Sequence, residues 1–87
     1  MDGIDFYYKE YNEKKWERFL SYVKRSNIKI KGVPQDVVDA VYHALGPNTK
    51  EWLGRPLSVF DGKTAMELLK SDKGRKALKA FIMRLPC

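Results

Sequence analysis

Few side chains here could do acid–base or nucleophilic chemistry: the 87 residues include one histidine, His43, and one cysteine, Cys87. A nucleophile needs a base in hydrogen-bond reach, and a metal needs several ligands at a characteristic spacing. His43 has no Asp, Cys or second His at ligand spacing and sits beside an apolar stripe, so a packed or surface histidine is expected there rather than a catalytic base. Cys87 has no second cysteine to pair with, which leaves no intramolecular disulfide and no multi-cysteine metal site. Asp36 and Asp39, three apart, read as acids placed to favour the N-terminal end of a helix rather than as a catalytic pair. Gly32, Gly46, Gly54, Gly62 and Gly74 are scattered as turn and cap residues and never form a phosphate-cradling loop. The inventory therefore predicts no catalytic, cofactor or metal site, and a chain that works by binding another macromolecule.

Two features have binding potential. The C-terminal helix carries Lys73, Arg75, Lys76, Lys79 and Arg84, a basic face able to meet phosphates or an acidic protein. The apolar, aromatic stretch from Trp52 to Phe60 is the other, with Trp52, Arg55, Pro56, Phe60, Asp61 and Lys63 as candidate partner-binding residues. Most of its large side chains are expected to be core, leaving a rim that includes Arg55 and Lys63 for recognition. Residues 1–46 hold eight Lys/Arg against seven Asp/Glu, whereas residues 47–87 hold nine against four, so sequence alone assigns most of the net charge of +6 to the second half.

These residues need a scaffold, and the length suits a single domain. Apolar residues at spacings of three to five from residue 4 to residue 26 predict one long amphipathic N-terminal helix within residues 1–27, with Glu10/Lys14 and Lys14/Glu17 as surface pairs. Tyr7, Tyr8, Tyr11 and Trp16 exceed what one short face can bury, which suggests self-association. Ile28-Lys29-Ile30-Lys31 alternates with period two before Gly32, and reads as an extended connector that lacks a strand to pair with unless another chain supplies one. A helix follows from Pro34 to Leu45, carrying Val37, Val38, Val41 and Ala44 and stopped by Gly46-Pro47. Asn48 with Glu51 predicts a capped short helix ending at Gly54, Asp61-Gly62 a turn, and Thr64 with Glu67 a capping box. Ser71 or Asp72 starts a last helix with Ala77, Leu78, Phe81, Ile82 and Leu85 inward, ended by Pro86. The fold class predicted is mainly all-α, a small bundle of about five helices. No run approaches the length of about 20 apolar residues required to span a bilayer, and the N-terminus lacks the pattern of a secretory signal, so a cytoplasmic protein is expected.

The run WLGRPLSVFDGKTAMELL from Trp52 to Leu69, followed by SDKGRKALKAFIMRLP, resembles the C-terminal toxin-binding domain of the Xre/MbcA/ParS antitoxins. The likeness rests on Trp52-Leu53, Arg55-Pro56, Gly62, Thr64 with Glu67-Leu68-Leu69, and Gly74, and extends over residues 34–87 if the preceding helix is included. It implies a compact bacterial helical domain that dimerises and covers the active site of a cognate toxin. Ala65 stands where the family pattern commonly has proline, a change the first turn of a helix tolerates. Residues 1–46 offer no complete helix-turn-helix, so operator binding is not implied. The alternative reading is a small basic nucleic-acid-binding protein acting as a dimer, recognisable by steep salt dependence.

Overall fold

A computed structural model describes residues 3–85, so Pro86, expected to end the last helix, and the lone cysteine Cys87 lie outside the described residues; the helix already ends at Ile82. The fold is all-α. Six helices run in the order α1 (Gly3–Glu10), α2 (Glu13–Tyr22), α3 (Gln35–Leu45), α4 (Thr49–Leu53), α5 (Ala65–Leu68) and α6 (Asp72–Ile82), with single 3-10 turns at Gly46–Asn48 and Ser58–Phe60. No helix among the described residues is long and apolar enough to cross a membrane.

The single N-terminal helix expected from the apolar spacing is two helices. Asn12 breaks it: its backbone is extended (φ −140°, ψ 120°) and its side chain accepts a hydrogen bond from the Lys15 N–H at 3.0 Å, capping α2. Asparagine competes with the helical backbone for such bonds, which makes it a natural start and a poor interior residue. The break also cancels the expected Glu10/Lys14 pair, because Glu10 turns instead to Arg84, 2.6 Å away at the other end of the chain.

The core joins both ends of the sequence. Trp16, Val37, Ala40, Val41, Leu53, Phe60, Leu68, Ala77, Leu78 and Ile82 are buried in one cluster. α1 lies along α6 and docks by Tyr7, whose ring meets Phe81 edge-on at 5.2 Å and Phe60 at 5.7 Å; Phe60 and Phe81 meet at 5.4 Å. Such aromatic contacts add to the area they bury. Trp16 of α2 is only 3% exposed, and its indole N–H donates to Asp36 of α3 at 3.2 Å. Lys79 of α6 lies over the same indole ring at 5.2 Å and 3.7 Å from the Asp36 carboxylate, so one cluster ties three helices together. Tyr7 and Trp16 are thus absorbed within the chain, while Tyr8 remains 40% exposed beneath Lys73.

Capping follows the residue types. Thr64 and Glu67 form a reciprocal capping box on α5, and Ser71, rather than Asp72, caps α6 by accepting from the Gly74 N–H. Asn48 makes no side-chain cap; the 3-10 turn before α4 is closed by the buried Thr49 hydroxyl, which donates to the Gly46 carbonyl at 2.6 Å. No buried side-chain nitrogen or oxygen among the described residues lacks a hydrogen-bond partner.

Candidate functional site

The basic face of α6 is not a bare cationic surface. Lys73 pairs with Asp5, Arg75 and Lys76 with Asp72 at 2.7 and 3.2 Å, and Lys79 with Asp36, while Arg84, expected on the helix, stands in the turn just beyond its end at Ile82 and pairs with Glu10. Hydrogen bonding from Lys73 holds the Asp5 carboxyl below its ordinary range, as Arg75 and Lys76 do for Asp72, which in turn raises the Lys76 ammonium. Exposed pairs of this kind add little to stability. Their consequence is electrostatic: five cations stand against four carboxylates, three of which come from the first half of the chain.

The excess charge therefore lies elsewhere. Residues 18–35 contain Arg18, Lys24, Arg25, Lys29 and Lys31 and no carboxylate, so this stretch has a local charge of +5. The connector between α2 and α3 crosses this stretch and is pinned by Asp39, a buried acid 7% exposed. One Asp39 carboxylate oxygen accepts from the Ser26 N–H (3.0 Å), the Ser26 hydroxyl (2.9 Å) and the Gln35 amide (2.9 Å). Burial pushes the Asp39 carboxyl up, but the bonds from Gln35 and Ser26 outweigh it and leave the group below its ordinary value. Asp39 is thus a structural clamp, and not only the helix-end acid the sequence suggested.

Beyond the clamp, Ile28 and Ile30 are half-buried while Lys29 and Lys31 are exposed, matching the period-two pattern of the sequence. The connector forms no sheet, and Ile28 and Ile30 help to line an open groove of about 480 Å³ completed by Leu53, Gly54, Met66 and three lysines, Lys29, Lys31 and Lys50.

The loop after α4 supplies the other candidate surface. Leu57 and Lys63 form an isolated antiparallel bridge, with the Leu57 N–H donating to the Lys63 carbonyl at 3.0 Å. Between them Asp61 (φ 56°) and Gly62 (φ 81°) are both left-handed, a conformation that aspartate tolerates and glycine adopts freely. Phe60 is fully buried, so of the six residues expected to contact a partner it is a core residue that holds the loop down. Trp52 is half-buried and stacks on Phe81 at 6.3 Å with ring planes 10° apart. Arg55, Pro56, Asp61 and Lys63 remain as an exposed rim of both signs, with Arg55 bonded to Glu51 at 2.9 Å.

His43 packs its ring edge-on to Phe19 at 6.0 Å. No group of three or more His, Cys, Asp or Glu side chains able to hold a metal occurs among the described residues. Sequence reasoning missed the groove beside the connector, although the acid-free run and the Ile-Lys alternation were its signals. Comparison with known proteins returned no match: no family model, no curated protein and no solved structure matches this chain.

Proposed function

We propose that the chain is a non-catalytic protein-binding module, of the kind the toxin-binding domain of a type II antitoxin represents, whose exposed loop rim docks on a partner protein. The observation that carries this reading is the division of labour in the loop of residues 54–63. Phe60 within it and Trp52 just before it hold it against the core, and Arg55, paired with Glu51, together with Pro56, Asp61 and Lys63 stays exposed where a partner can reach it. A rigid loop loses little conformational freedom on binding. A rim of both charge signs with a proline suits a protein surface better than a phosphate backbone, and the internal pairing of the α6 cations weakens the case for nucleic acid on that face.

Capture of partners from the native host by tagged protein, washed at rising salt and read by mass spectrometry and a nucleic-acid stain, tests this. The expected result is one salt-resistant protein, lost with Arg55→Glu. Nucleic acid that elutes with salt, with no protein retained, would replace this reading with that of a nucleic-acid-binding protein.

A further inference from the structure

We propose that the groove beside the α2–α3 connector receives an extended, acidic segment of a partner protein, which lies along residues 28–30 as an added strand lies along a sheet edge. The inference rests on the protein-binding reading for the class of partner, but concerns a different surface from the loop rim.

Three observations converge on this occupant. The floor is apolar, made by Ile28, Ile30, Leu53 and the 40% exposed Met66, and offers no aromatic ring on which a nucleic-acid base could stack. The rim is cationic: Lys29 and Lys31, from the carboxylate-free stretch of residues 18–35, and Lys50 of α4 border the groove. None of these lysines forms an ion pair among the described residues, in contrast to the four cations of α6 named above and Arg84 just beyond it. Finally, the connector backbone is committed on one side only. The Ile28 carbonyl accepts from the Gln35 side chain and the Ile30 carbonyl from the Val33 N–H, whereas the peptide groups of Asn27 and Lys29 have no partner among the described residues. Between the bend at Asn27 and the turn at Lys31–Gly32, alternate residues of an extended run point their backbone groups to opposite sides, so the Lys29 groups face away from the bonds already made by Ile28 and Ile30. A segment alternating aliphatic and acidic residues would satisfy these groups, fill the floor and neutralise the rim together. A second copy of this chain fits poorly, since its own connector would bring like charge to the same place.

The test uses purified chain and a labelled, end-blocked peptide alternating valine and glutamate, followed by fluorescence anisotropy and by amide chemical shifts. Saturable binding is expected, weakening as salt rises, with shifts concentrated at residues 27–31, Leu53 and Gly54. Lys29→Glu with Lys31→Glu is expected to weaken it about tenfold or more, and Lys50→Glu, on a separate element, to weaken it in the same direction. The same peptide with lysine in place of glutamate should not bind. The proposal is overturned if the glutamate peptide does not bind at low salt, if the shifts map elsewhere, if a single-stranded oligonucleotide takes the groove in preference, or if sedimentation shows the groove closed by self-association. Failure here with capture of a host protein intact removes the groove alone; failure of capture removes the protein-binding reading itself.

Discussion

Replacing Asp39 with alanine should release the connector that shapes the groove. Three donors converge on one Asp39 oxygen, at 3.0, 2.9 and 2.9 Å; two of them tie Ser26 to α3, and the third orients Gln35, the first residue of α3, whose amide also donates to the Ile28 carbonyl at 3.0 Å. A hydrogen bond to a charged group contributes about 1.5–3 kcal/mol, but these three share one acceptor and water can reach part of the site, so Asp39→Ala should cost about 2–3 kcal/mol in total. For a domain of this size that corresponds to a fall in melting temperature of roughly 8–24 °C. Asp39→Asn keeps a neutral acceptor and should lose about half as much. The pH dependence carries a sign. Because the folded-state carboxyl lies below its ordinary value of 3.8, its stabilisation is fully present above that value and is lost as pH falls through the lower, folded-state one. Thermal unfolding followed by circular dichroism from neutral to acid pH, with amide exchange at Ser26, reads both effects. An Asp39→Ala melting temperature within about 2 °C of the parent, with an unchanged acid limb and no faster exchange at Ser26, would refute the clamp.

Other substitutions probe the rest of the scaffold. Gly74→Ala should destabilise despite the roughly 1 kcal/mol by which alanine favours a helix, because a Cβ there collides with the Leu68 carbonyl oxygen; denaturant unfolding should show a net loss. Thr64→Ala removes one half of the α5 capping box and should cost about 1 kcal/mol by the same assay. Phe60→Ala opens a cavity where a fully buried ring meets Tyr7 and Phe81, and should cost about 3–5 kcal/mol, with the loop of residues 54–63 losing its exchange protection.

Much of the fold was legible because local chemistry and tertiary packing agree over most of the chain. The α3 stripe of Val37, Val38 and Val41, the Gly46 stop, the Thr64 box and the Ser71 cap all appear where residue types place them. The N-terminal region misled because Tyr8, Tyr11 and Trp16 keep helical spacing across Asn12, and apolar periodicity does not register a polar cap between two helices. The division of charge misled for a different reason. Summing Lys and Arg along the sequence placed the excess in the second half, but Asp5, Glu10 and Asp36 fold onto α6 and neutralise much of it. Long-range pairing of that kind leaves no local trace. The candidate loop was read in outline, with a core part and an exposed rim, while assigning Phe60 to the core needed the packing of α1 against α6.

Hydrogen exchange of the chain alone and with its captured host protein, resolved along the sequence, tests the central claim most directly. A partner that docks on the loop rim should slow exchange across residues 54–63, with further slowing at 27–31 where the groove is also filled. A complex that leaves both segments unchanged and protects only other elements, or the absence of any protein complex, would contradict the account.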